Sequence, residues 1–151
     1  MLKRACISVA VLSFLVVLGL PIAQARTNQL MSVHAPFEFV LQDRVLAAGD
    51  YTVQQLTDSS VALRISSADN NESAGVLTNN AEAGRQESDA PRLVFRRYGD
   101  QYFLAAIWLN AESGRALIKS HRERSLQKEL AASGHAREPE VITIAAEFAV
   151  R

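Results

Sequence analysis

Three histidines, His34, His121 and His135, are the side chains of this sequence best suited to proton transfer or metal binding near neutral pH. A histidine becomes a catalytic base or a ligand only with partners in place, a carboxylate to orient it and a nucleophile or metal to act on. His34 falls on the polar face of a predicted strand, His121 at the start of a predicted helix and His135 just past its stop, so these elements do not converge on one site. The ordinary reading is three solvated imidazoles. The one constellation with hydrolytic chemistry is His34 with Asp50 or Asp100 and a serine. None of the strings G-x-S-x-G, H-E-x-x-H or G-x-x-x-x-G-K-[ST] occurs. The single cysteine, Cys6, excludes both a disulfide framework and a zinc site of four thiolates. No catalytic, metal-binding or cofactor-binding residue is therefore assigned, no cofactor is expected, and the chain is read as not an enzyme.

The charges point elsewhere. Lys and Arg total 16 and Asp and Glu total 16, but they are segregated. Asp69, Glu72, Glu82, Glu87 and Asp89 face only Arg85 between residues 69 and 90. From 91 to 128 the bases Arg92, Arg96, Arg97, Arg115, Lys119, Arg122, Arg124 and Lys128 outweigh Asp100, Glu112 and Glu123. Solvated faces are the usual meaning of such runs. The sharper reading makes Arg96, Arg97, Arg122, Arg124 and Lys128 a candidate contact surface for an anionic envelope component, such as lipid head groups or acidic polysaccharide, or for another envelope protein. Nucleic acid is not expected, for want of a dense basic and aromatic face. Tyr98, Tyr102, Phe103 and Trp108 cluster nearby, and Tyr102 with Trp108 forms a candidate ligand pocket, although core packing is the commoner fate of such rings. Asn71-Glu72-Ser73 matches a short glycosylation acceptor that matters only in a eukaryotic secretory route.

Residues 1–25 have the layout of a secretory signal: Lys3 and Arg4, an apolar run over 5–20, then Pro21 and the small-residue site Ala23-Gln24-Ala25. The run is shorter than the roughly 20 residues a bilayer core needs, and Cys6 lies too early to be a lipidation site. Cleavage after Ala25 would remove Cys6 and leave residues 26–151 as a slightly acidic, thiol-free, exported domain without a transmembrane segment, in the periplasm or outside the cell.

Within that domain, alternation over 33–41 puts Val33, Ala35, Phe37, Phe39 and Leu41 on one strand face, with Pro36 marking an edge or a strand start. Further strands are predicted over 51–56, 61–66 and 75–78, joined by short polar turns in a meander. Residues 79–90 read as an exposed loop. A hairpin over 92–98 and 102–109 turns at Gly99-Asp100, with a II′-type turn expected, and its second arm is apolar on both faces, so something must cover it. The cover is a helix over 121–132, with Ser120 and Glu123 as a capping box, Gly134 as the stop and a narrow stripe of Leu126, Leu130 and Ala131. A last strand is predicted over 141–150. The expected fold is mainly β: a small antiparallel meander sandwich or partly closed barrel of six or seven strands, with one α-helix in the C-terminal half. The barrel is slightly preferred, because the last strand could pair with the first and remove both edges.

Two stretches carry a family resemblance: Pro36-Phe37-Glu38-Phe39 followed by Leu46-Ala47-Ala48-Gly49-Asp50-Tyr51-Thr52-Val53, and Leu93-Val94-Phe95 through Tyr98-Gly99-Asp100-Gln101-Tyr102-Phe103-Leu104 to Trp108. They resemble a family of small uncharacterised exported proteins of environmental bacteria with a P-F-x-F strand, an L-P-A-G-x-Y-x-V turn and a Y-G-D-x-Y-F-L hairpin. Ala47 stands where that pattern has proline. The resemblance implies a compact exported bacterial domain and transfers no catalytic residue. The Ala-Gly-Asp-Tyr-Thr-Val turn is also similar to turns of transthyretin-like surface sandwiches.

The leading expectation is thus a non-enzymatic exported binding or structural domain of the cell envelope. The alternatives are a carrier holding a small apolar ligand in a barrel cavity, and a hydrolase built around His34 or His121.

Overall fold

The computed structural model describes residues 30–56, 61–69, 72–81, 89–134 and 138–149. The expected signal, His135, Asn71 and most of the predicted 79–90 loop lie outside the described residues. The fold is mainly β with one helix. Its strands are β1 (Leu30–Ala35), β2 (Phe39–Leu41), β3 (Arg44–Leu46), β4 (Gly49–Gln55), β5 (Ala62–Ser67), β6 (Ser73–Asn80), β7 (Arg92–Tyr98), β8 (Gln101–Trp108), β9 (Gly114–Leu117), β10 (Glu140–Ala145) and β11 (Glu147–Phe148), with helix α1 (His121–Ala132) before β10. Their order is β10-β7-β8-β9-β6-β5-β4-β1-β11, with the β2–β3 hairpin beside the start of β8. Every pairing is antiparallel except that of β2 with β8.

Two layers result. The first half of β6 pairs with β5 and its second half with β9, so this strand passes from one layer to the other, as strands do at sandwich corners. The chain crosses again near its end. In place of one strand over 141–150, β10 runs along β7 and β11 along β1, and between them the Ala146 N–H donates to the Pro91 carbonyl (2.9 Å) while its methyl group is buried. The final segment does meet the first strand, but this break leaves β10 and β11 at opposite ends of the path. The sheet is not closed into a barrel, which corrects the slight preference for one.

Pro36 explains a second departure. It has no N–H to give, and the ladder of β1 with β4 ends at Ala35↔Gly49, so the stretch predicted as one strand becomes β1 and β2. The face assignment survives the break: Val33, Ala35, Phe39 and Leu41 are buried, and Phe37 packs on the main core around Phe95, Leu104 and Ile107. Val40, on the other face of that alternation, is also buried, in a second cluster with Tyr98 and Phe103, against which Leu126 and Leu130 of α1 pack. The helix is the cover that the doubly apolar β8 required. The hairpin turns as expected, with Tyr98↔Gln101 as its last pair and Gly99 at φ 59°, the positive value a II′ turn asks of its first central residue. Register shifts within the hairpin, Phe95 facing Leu104 but Val94 facing Ala106, so Ala105 is a bulge. The strands β3 and β9 were not anticipated; each is too short to show a period of its own.

Candidate binding surface

The helix is fastened to the hairpin by a buried charge. Ser120 caps α1, its hydroxyl accepting from the Glu123 N–H at 3.0 Å. Glu123 does not complete the reciprocal box, because its carboxylate turns inward and the residue is only 1% exposed. Oε1 accepts from Arg96 Nε (2.5 Å) and from the Tyr98 hydroxyl (3.1 Å), and Oε2 accepts from Arg96 Nη2 (3.0 Å). Gln127 Nε2, one turn on, donates to the Tyr98 oxygen at 2.6 Å. Each buried polar group thus has a partner, which a charge in a low-dielectric site requires.

Burial, with the negative charge of Glu123 beside it, pushes the Tyr98 phenol up to about 12 from 10.0. A raised folded-state value means that the stabilisation is complete below pH 10.0 and is lost as pH rises towards 12. Ultraviolet titration should therefore show a phenol ionising near pH 12 that is missing from Tyr98→Phe, and alkaline unfolding should lose stability over this window. Burial also raises Tyr51, which stays in both proteins and sets the baseline.

The five candidate cations do not form one surface. Arg96 is held by Glu123, with its side chain only 19% exposed, and so is withdrawn from external contact. Its neighbour Arg97 points to the opposite face of β7, where Nε donates to the Gly99 carbonyl (2.8 Å), Nη1 to Glu140 (3.2 Å), and the guanidinium lies over the Tyr102 ring at 5.5 Å. Arg122, Arg124 and Lys128 are exposed on α1, but helical spacing puts Arg122 on the opposite flank from Arg124 and Lys128, which lie one turn apart on the same side. The Arg122 N–H donates to Asp43 and its guanidinium to Gln101 (3.3 Å); Arg124 Nη1 donates to the Lys119 carbonyl (2.5 Å). Lys119, not among the candidates, joins them by donating from Nζ to Gln127 (3.2 Å). No family model, curated protein or solved structure matches the chain.

Tyr102 and Trp108 also separate. Tyr102 packs on the core side of β8, stacked on Phe37 at 3.8 Å and 14°. Trp108 lies on the other face, paired with Arg92 and Gly114, with the Arg92 guanidinium 5.1 Å over its ring. The two rings share no pocket. Clefts of about 500 and 360 Å³ are lined by other residues.

Of the hydrolytic options, the register selects His34 with Asp50. They are cross-strand partners on β1 and β4, with Nδ1 2.7 Å from Oδ1, side by side in the smaller cleft and largely exposed. Ser32 lines the same cleft, but its hydroxyl is directed to the Glu147 carbonyl (3.5 Å) and not to the imidazole. His121 is exposed at the start of α1. Among the described residues no group of three His, Cys, Asp or Glu side chains is placed to hold a metal. The functional residue that sequence reasoning missed is Glu123. Its signal was present, since Glu123, Leu126 and Leu130 share one helical stripe, which puts the carboxylate on the packed face.

Proposed function

We propose that this chain is a non-enzymatic binding domain of the bacterial cell envelope, exported through the signal at residues 1–25, and that it contacts an anionic envelope component through the exposed cations of α1. The observation that carries this reading is the Glu123 tether. It fixes a short helix on the hairpin and so holds Arg124 and Lys128 in place on one flank and Arg122 on the other, and a contact made by pre-ordered groups loses less entropy than one made by loose ones. Glu129 on the helix, Asp43, which accepts the Arg122 N–H, and Asp100, next to the Gln101 that Arg122 contacts, are exposed carboxylates on this side, against the four cations Lys119, Arg122, Arg124 and Lys128. Export is supported by the order of charged, apolar and small residues at the start of the chain and by the resemblance to exported bacterial proteins.

The full chain, expressed with its own leader in a bacterium, should be recovered outside the cytoplasm with Arg26 as its first residue. The processed protein should sediment with a crude envelope fraction at low salt, and Arg122→Ser/Arg124→Ser/Lys128→Ser should bind at least tenfold more weakly. Retention of the whole chain in the cytoplasm, or equal sedimentation of the triple variant, would overturn the assignment.

A further inference from the structure

We infer that the protein docks on an anionic lipid surface through a row of aliphatic side chains, Leu56, Ala62, Leu77 and Ile118, flanked by Lys119, Arg124 and Lys128. This rests on the envelope-binding role proposed above and names the ligand class.

The row follows from strand register. The Leu56 N–H donates to the Ala62 carbonyl (2.9 Å), Ala62 faces Leu77 across β5 and β6, and the β6–β9 ladder at Thr78↔Leu117 sets Ile118 opposite Leu77 one step on. Leu63, Val76 and Leu117, the sequence neighbours of these residues, are buried, so alternation sends the row outward. Leu56, Leu77 and Ile118 are 45%, 66% and 62% exposed. A single exposed leucine is unremarkable, but a line of aliphatic groups crossing four strands, roughly 15 Å at the usual strand spacing, is a patch.

What borders the row decides its occupant. At one end the chain continues from Ile118 into Lys119, and Arg124 is bonded to the Lys119 carbonyl, with Lys128 one helical turn further. Along its side, the next row outward on the same face is Gln54, Arg64 and Gly75, again with an exposed cation and no carboxylate. Aliphatic groups without hydrogen-bonding atoms, with cations at one end and along one side, fit acyl chains beneath anionic head groups; an acidic polysaccharide would use the cations and gain nothing from the leucines. Among the described residues no helix is long and apolar enough to cross a membrane.

The test uses the processed full chain with vesicles of phosphatidylcholine alone or mixed with phosphatidylglycerol. Binding should require phosphatidylglycerol and weaken at high salt. Lys119→Ser/Arg124→Ser/Lys128→Ser should weaken it on the order of 100-fold, at about fivefold per cation. Leu77→Ser/Ile118→Ser should weaken it at least tenfold with an unchanged circular dichroism spectrum, since both side chains already stand in water. Absence of binding to phosphatidylglycerol vesicles, or binding untouched by the Leu77/Ile118 variant, would overturn lipid docking. Envelope binding that survives delipidation, or passes to soluble acidic polysaccharide, would overturn it too while leaving the broader function standing. Vesicle binding without envelope binding would support the lipid surface and defeat the proposed function instead.

Discussion

Glu123→Ala should lower the unfolding free energy by about 3–5 kcal/mol, the loss expected when one member of a buried ion pair is removed. The variant would leave the Arg96 guanidinium without its carboxylate in a site where little of it reaches water, and would take an acceptor from the Tyr98 hydroxyl. The pair itself need not be stabilising relative to apolar groups of similar volume, so Arg96→Met/Glu123→Leu should recover much of the loss. Urea unfolding followed by circular dichroism measures both. A loss below about 1 kcal/mol for Glu123→Ala would be the signature of a surface ion pair and would remove the tether from this account. Because the helix carries the proposed contact cations, envelope binding should fall with stability in the single variant and return in the double.

Gly114→Ala should cost about 1–3 kcal/mol or more through overpacking. A methyl group on Gly114 would lie 2.5 Å from Cε3 and 2.6 Å from Cη2 of Trp108, distances real Cβ atoms do not adopt. The indole cannot easily move aside, being 4% exposed and capped by the Arg92 guanidinium. Glycine stands here because an aromatic ring on the neighbouring strand occupies the space its side chain would fill, an arrangement that also shields the bare backbone of β9. In a Trp108→Leu background the same alanine should cost much less, and the difference measures the coupling. Equal cost in both backgrounds would mean that backbone preference, and not the ring, selects glycine.

How much of this was legible in advance depended on the distance over which each rule acts. The bounds of α1, its Ser120 cap and the Gly99-Asp100 turn follow from residues within one turn of each other, and they stand as read. Alternation placed Val33, Ala35, Phe39 and Leu41 inside, because successive side chains of a strand must point to opposite faces. The same rule separates Arg96 from Arg97, whereas Tyr102 and Trp108, an even number of residues apart, would share a face by alternation and are parted by the bulge at Ala105. Grouping the arginines by nearness in the chain, as one basic surface, overlooked that periodicity; the bulge that divides the expected pocket shows only in the pairing of β7 with β8. His34 could be matched to an aspartate by chemistry alone, but only the pairing of β1 with β4 chose Asp50 over Asp100.

The sequence by itself determined a mainly β domain with one capped helix, and which side chains of each strand share a face. The tertiary structure decided which of those faces meet. Glu123 satisfies a local capping pattern, yet its carboxylate binds Arg96, 27 residues away, because burial beneath the helix leaves both charges worse off unpaired than capping could repay. The sheet stays open where the last segment breaks at Ala146, whose N–H goes to the Pro91 carbonyl, with β10 along β7 before it and β11 along β1 after it. The aliphatic row exists only once β4, β5, β6 and β9 lie side by side. Local pattern sets the direction of each side chain, but a partner dozens of residues away is fixed by register and burial, which belong to the assembled sheet.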